Sequence, residues 1–358
     1  MLRSKYQMFA DSLSENVFKT KTQSNPIMLV VLAYLLLIAI GTALLILPQS
    51  TTRPISFIEA FFTAMSAVCV TGLSVVDIPS TFSQTGLWFL VILMQLGGLG
   101  IMTASTTLIL LAGMHPGFSH QSVFLSEFTQ EGSIDAGRIL KAVIPFTFVL
   151  ELIGGTVYFT QFQSMELYDR VFCSIFQAVS SFCGVGFTLF PDSLEGFRYN
   201  PVMNITTCIL VLAGGFGFLA IAELRYLFDF KHKEVRRLSL HTRIATYGTF
   251  IVIGVSIAVF AFTEHNNLFS GHTFSENAQS VMFMAFTSRT AGLNSVNIPD
   301  LTQASLFFFI IIMFIGANPG SCGGGIKITT AAVIGLLGVN RLLGRCFTTV
   351  SIKNESGI

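Results

Sequence analysis

The sequence predicts an all-α polytopic membrane protein. Its units would be a spanning helix, a half-length pore helix with a filter-like loop, and a second spanning helix, repeated around a central pore. Three observations carry this. First, 52% of the 358 residues are hydrophobic, only 11% are charged and 36 are Phe. Mean hydropathy is +0.71, whereas a soluble domain carries about 25% charged residues. Second, apolar runs close to the roughly 20 residues a spanning helix needs recur along the chain. Third, shorter apolar stretches lie between them, each closed by a Gly. This composition excludes a disordered chain, a nucleic-acid binder and an ordinary soluble enzyme.

The predicted spans are Ile27–Leu47, Leu87–Ala112, Leu140–Phe162, Pro201–Leu219, Ile244–Phe262 and the short Leu306–Ile315. Asn25-Pro26 and Pro48 bound the first, and Gly97-Gly98 weakens the middle of the second. Glu151 and Pro145 must be tolerated inside the third. Phe57–Val68, Val171–Phe182 and Asn277–Ser288 are too short to cross and suggest re-entrant helices. The first apolar run follows a mixed polar tail and lacks a small-residue cleavage site, so it reads as a span and not a signal peptide.

Charge sets the orientation. Arg225–Arg243 holds Arg225, Lys231, Lys233, Arg236, Arg237 and Arg243 against Asp229 and Glu234, and the C-terminal tail adds Arg341, Arg345 and Lys353. The loops Asp77–Gly86, Asp192–Asn200 and Glu264–Glu276 hold five acids and one base. Both termini are therefore expected in the cytosol, with the short helices dipping in from the outer face of the cell membrane. Six Cys (Cys69, Cys173, Cys183, Cys208, Cys322, Cys346) form no CxxC or Cys/His pattern and read as buried thiols.

The order span, short helix, loop, span occurs three times. Gly72, Gly186 and Gly292 recur about every 110 residues. A Pro- or Asp-bearing loop follows each, and then a Gly cluster in the next span: Gly97-Gly98-Leu99-Gly100, Gly214-Gly215-Phe216-Gly217 and Gly316–Gly325. Non-helical backbone at membrane depth survives only when buried in protein or lining a watery cavity. A short helix pointing inward brings its negative end to the bilayer centre, which favours a cation there. Extended residues after it can aim carbonyls at an axis, as in potassium filters.

At these residues the sequence resembles the Trk/Ktr/HKT superfamily, most closely its KtrB-type potassium uptake branch. The matching stretches are Ser66–Asp77, Gln95–Thr103, Arg237–Thr242, Thr287–Asn294 and Gly316–Thr330, within a likeness running from about Pro26 to about Arg345. The resemblance implies potassium uptake through a carbonyl filter, with K+ as the transported ion and no organic cofactor. It implies Val70, Thr71 and Gly72 as the first filter strand, Gly184, Val185 and Gly186 as the second, and Thr290, Ala291 and Gly292 as the third. The second strand departs from the commoner Asn-Ala-Gly. The resemblance also implies an intramembrane gate loop, 316–325: Gly316, Asn318, Pro319, Gly320, Ser321, Cys322, Gly323, Gly324 and Gly325, followed by Lys327. Five Gly and a Pro break any helix there independently of the family. Asn318 and Cys322 stand where family members often carry Ser and Thr. Partners implied are membrane lipid, a cytosolic nucleotide-binding regulatory ring of the Trk A/Ktr A type, and a second copy in a homodimer.

The expected organisation is a cytosolic tail (1–25), a first pore repeat (26–113), a linker (114–139), a second repeat (140–228), a basic cytosolic linker (229–243), a third repeat (244–345) and a C-terminal tail (346–358). The family pattern has four repeats and this sequence carries three. The fourth wall is therefore expected from another chain, or the sequence is a fragment. A Na+/K+ or proton-coupled transporter and a non-conducting remnant stay open as alternatives. Lys327 either repels or replaces a cation in the cavity, or snorkels or pairs with a backbone carbonyl. Arg289 is expected behind the filter, bracing the third strand through hydrogen bonds. Glu59 is expected to pair with a helix dipole, Glu151 with a partner in the bundle, and His241 and Thr242 to be interfacial. No triad, P-loop or HExxH supports an enzyme.

Overall fold

The structure is a computed structural model and describes residues 26–111, 136–217, 220–221 and 240–342. Both tails and most of the basic segment Arg225–Arg243 lie outside these, as does Cys346. Among the described residues the architecture is helical, with two isolated bridges, Thr51 to Phe82 and Ile315 to Ile326.

The stretch expected to form the first repeat comprises α1 (Pro26–Ile46), α2 (Phe57–Val68), the single turn α3 (Ile78–Thr81) and α4 (Gln84–Leu111). The second comprises α5 (Ala136–Gln161), α6 (Leu167–Cys183) and α7 (Pro201–Gly215), and the third α8 (Leu240–Thr263), α9 (Phe274–Thr287), α10 (Gln303–Phe314) and α11 (Ile328–Leu342). Helices occupy the positions of all six predicted spans and all three predicted short helices. α5 begins before the expected Leu140 and α8 before the expected Ile244, inside the stretches read as linkers. α4 runs unbroken through Gly97-Gly98, and Pro145 sits inside α5.

Local chemistry explains the starts. Ser56 and Glu59 form a capping box on α2, and Thr273 and Glu276 form another on α9. Glu59 thus serves the helix N-terminus, as expected. Asn200 caps α7, with Pro201 at the first helical position.

Val143–Gln161 and Thr242–Thr263 are each long and apolar enough to cross a bilayer. Large apolar side chains crowd the exterior: Leu35 and Leu36 on α1, Phe148 and Leu152 on α5, Ile251 on α8, Phe307 and Ile310 on α10 are all exposed. An outside this apolar suits lipid as its solvent. Inside, one apolar core joins the first two repeats, including Leu90, Met94, Phe176 and Phe182, and reaches Phe283 and Leu293 of the third. A separate cluster around Phe260, Met284 and Val296 holds the third repeat together.

Just past the end of α8, Glu264 is fully buried and ties that helix to the start of α10. It accepts from the Thr302 amide (2.9 Å), the Thr302 hydroxyl (2.8 Å) and Asn267 Nδ2 (2.8 Å). Burial works to raise its pKa, but hydrogen bonds involving Ser305, Asn267 and Thr302 outweigh it and hold the carboxyl below its ordinary value.

Candidate functional site: three turns and a loop

The short helices α2, α6 and α9 are each followed by two residues at positive φ. The first residue expected in each filter strand is left-handed at Val70 (φ 56°), Gly184 (φ 70°) and Thr290 (φ 65°), and the third is again at positive φ at Gly72 (76°), Gly186 (87°) and Gly292 (72°). The middle amide turns back to cap its helix: Thr71 donates to Ser66 O (2.8 Å), Val185 to Ser180 O (3.0 Å) and Ala291 to Thr287 O (3.1 Å). The departure at Gly184 therefore has a local reason. Gly takes freely the conformation that β-branched Val70 and Thr290 adopt under strain. The sequence repeat marked only the third residue. The left-handed first residue was missed because Val and Thr carry no signal for it.

The three segments meet side by side. A Cβ on Gly72 would lie 1.9 Å from Val185 O, and one on Gly186 would lie 2.8 Å from the Gly292 Cα. A Cβ on Gly184 would meet nothing nearer than Thr290 O at 3.6 Å. So the first segment lies against the second and the second against the third. No basic residue occupies the last turn of α2, α6 or α9, while Arg289 follows the end of α9 by two residues.

The later glycines have a use that spacing alone did not reveal. A Cβ on Gly97 would strike Val68 O at 2.3 Å, and one on Gly214 would strike Phe182 O at 1.8 Å. In the first two repeats the second span thus presses its bare backbone against the last turn of its own pore helix.

Loop 316–325 is non-helical and seated beneath these turns. α7 stops at Gly215, leaving carbonyls without helical partners. The loop fills them: Asn318 N donates to Gly215 O (3.2 Å), Cys322 N to Gly214 O (3.1 Å) and Asn318 Nδ2 to Phe216 O (3.1 Å). Asn318 Nδ2 also donates to Thr249 Oγ1 (2.9 Å) on α8, Cys322 Sγ to Gly98 O (2.8 Å) on α4, and Gly324 N to Thr290 Oγ1 (3.2 Å). Asn318 and Cys322, in place of Ser and Thr, keep the loop hydrogen-bonded to all three repeats. Pro319 lies against Gly217, whose Cβ would stand 2.5 Å from Pro319 O, and Ser321 Oγ donates to Asn318 O (2.5 Å).

The charged residues are placed as follows. Lys327 Nζ donates to Gly323 O (2.6 Å), the backbone pairing that stood among its options. Arg289 is 6% exposed, but its Nε and Nη2 have no hydrogen-bond partner among the described residues. Glu151 is 7% exposed with Gln95 beside it, and its Oε1 is likewise unpartnered among them. Thr242 is buried, and the side chain of His241 lies outside the description. Cys173, Cys183 and Cys208 are buried, Cys322 is half-buried, and Cys69, expected inside, is exposed at the end of α2.

The sequence pattern of the TrkH family, described as cation transport protein, matches residues 5–351. The chain is 32% identical over 312 residues to Ktr system potassium uptake protein B of Bacillus subtilis, covering 86% of this chain and 69% of that protein. It is 33% identical over 310 residues to the protein of the same name from Vibrio alginolyticus (85% and 67%). It is 30% identical over 320 residues to potassium/sodium uptake protein NtpJ of Enterococcus hirae (88% and 70%). Among solved structures, the potassium transporter TrkH from Vibrio parahaemolyticus matches with a TM-score of 0.69 at 18% identity, over 93% of this chain and 66% of that one. That likeness speaks for the fold. The chain spans about two thirds of the length of each of these proteins.

Proposed function

Because the chain belongs to the TrkH family of cation transport proteins, we propose that it takes part in potassium uptake across the cell membrane, with K+ stripped of water by backbone carbonyls of residues 70–72, 184–186 and 290–292. One observation carries the reading: three segments distant in sequence adopt the same left-handed turn and meet in contact. Helical ladders normally consume carbonyls, and here nine residues in three groups leave them. Grouped in this way they can replace a hydration shell, with the negative ends of three helices behind them.

Loop 316–325 is the gate in this reading. It lies below the third turn, holds it through Thr290, and consists of residues that cannot continue a helix. Lys327, tied to Gly323 O, fixes the loop's end. Both termini and the basic segment Arg225–Arg243 face the cytosol, where a nucleotide-binding regulatory ring would dock; a second copy would pack within the membrane. The filter assignment does not by itself separate K+ from Na+, and one relative is named for both ions.

The test is cation flux in proteoliposomes, in a conducting assembly containing this chain. K+ or Rb+ uptake should exceed Na+ uptake. Deleting Asn318–Gly323 should raise flux with membrane insertion unchanged. Flux coupled to a proton gradient at fixed membrane potential would favour the coupled transporter instead.

A further inference from the structure

Two thiols that the transport reading does not use converge beneath the second filter segment. Cys183 is the last residue of α6 and is fully buried, and Cys322 lies in the loop. Both abut the same glycine of α4. Cys322 Sγ donates to Gly98 O at 2.8 Å, and Cys183 Sγ stands 2.4 Å from where a Gly98 Cβ would be. A second glycine joins them from the other side. Gly214 packs on the Phe182 carbonyl, next to Cys183, while Gly214 O accepts the Cys322 amide at 3.1 Å. Two bare backbones from two different helices thus hold this pair together. At the matching helix ends, Cys69 is exposed and the third repeat has Ser288.

We propose that Cys183 and Cys322 are a redox-active thiol pair, closed to a disulfide by a two-electron thiol oxidant, and that closure fastens the loop to the base of the second filter segment. The functional half rests on the gate reading above; the chemical half does not. A disulfide needs Cα atoms about 4.4–6.8 Å apart. Cys183 is fixed at a helix end, and Cys322 sits in a loop with Gly320, Gly323, Gly324 and Gly325 around it, so the loop supplies the adjustment. With an azodicarboxamide such as diamide, one thiolate adds to the N=N bond. The second thiolate then attacks that sulfur, the S–N bond breaks as the S–S bond forms, and hydrazine dicarboxamide leaves with both thiol protons. Two sulfurs are oxidised and one N=N bond is reduced.

The experiment treats the purified full chain in liposomes with diamide, alkylates the remaining thiols and maps cross-links by mass spectrometry. The expected product is a dithiothreitol-reversible Cys183–Cys322 link. Amide exchange across 318–325 should slow by about tenfold. Cys183→Ser should leave Cys322 open to alkylation after oxidation. Cys322 linked to Cys69 or to a second chain, or Cys322 still free after diamide, would overturn the pair. If the link forms and flux in a conducting assembly, measured against the same protein before oxidation, is unchanged, the gate reading fails and the thiol pair stands. If no link forms while the loop deletion raises flux, the pair fails and the gate stands.

Discussion

The first and second pore segments are copies of one plan, yet their surroundings differ. α6 is enclosed: Phe172–Gln177 is buried apart from Ile175, and burial is continuous from there through Cys183. α2 buries one stripe and presents Phe57, Ile58, Phe61, Phe62 and Met65 outward. The middle filter residue follows suit, since Val185 is fully buried while Thr71 is exposed. The enclosed segment begins its turn with Gly184 and the open one with Val70, so the open segment carries the backbone strain. Shape is therefore set by the backbone turn and its capping amide, which both share. Neighbouring packing, which only one has in full, is a separate layer.

The sharpest way to break this comparison uses the glycines. Gly72→Ser puts an atom 1.9 Å from Val185 O and should abolish selective flux and lower the melting temperature substantially. Gly184→Ser meets no close neighbour and bears only the left-handed penalty of about 1–2 kcal/mol; it should stay folded. Equal damage from both, read by Rb+ uptake and thermal melts, would mean that contact between the segments is not what glycine protects.

The loop offers the next contrast. Asn318→Ala leaves the Thr249 hydroxyl and Phe216 carbonyl without this partner, an expected loss of about 1–3 kcal/mol. Cys322→Ala gives up one thiol bond to Gly98 O and should cost less. Denaturant melts order the two, and the reverse order would place the loop's main anchor on the first repeat.

Strain gives a smaller effect. Val70→Gly removes a β-branched residue from φ 56° and should leave stability within about 1 kcal/mol of the parent. Val185→Gly empties a buried site and should cost about 2–3 kcal/mol. A loss at Val70 as large as at Val185 would show that Val70 is held by packing after all.

Smallest is a pH effect at Glu264, between α8 and α10. The Glu264 carboxyl titrates below its ordinary value, so its contribution is fully present above the unfolded pKa of about 4.3 and is lost as pH falls through the lower folded value. Glu264→Gln should flatten the acid limb of the melting profile. An unaltered limb would place the acid-sensitive contact elsewhere.

Much of this was legible in sequence because the signals were local. Apolar run length located every helix read as a span, and α2 coincides to the residue with the short apolar stretch Phe57–Val68. The third filter residue was legible because only Gly combines positive φ with room for a neighbouring backbone. Val70 and Thr290 were not, because nothing in a β-branched residue announces a left-handed turn imposed by its surroundings. The seating of the loop was equally hidden. Asn318 looked like a weakened Ser, and its two bonds exist only because α7 stops at Gly215 and Thr249 faces it from α8. Arg289 was expected to brace the third strand through hydrogen bonds, and its Nε and Nη2 have no partner among the described residues.

The ends of loop 316–325 are stitched to each other. Gly316 N donates to Ile326 O (3.1 Å), Ile326 N to Phe314 O (2.9 Å), Ala317 N to Gly324 O (3.2 Å) and Ile328 N to Ala317 O (3.3 Å). The spacing of α10 and α11 is set by that seam and not by the loop's own conformation. None of those four bonds involves residues 318–323, so a change confined to the loop core leaves the two helix ends joined.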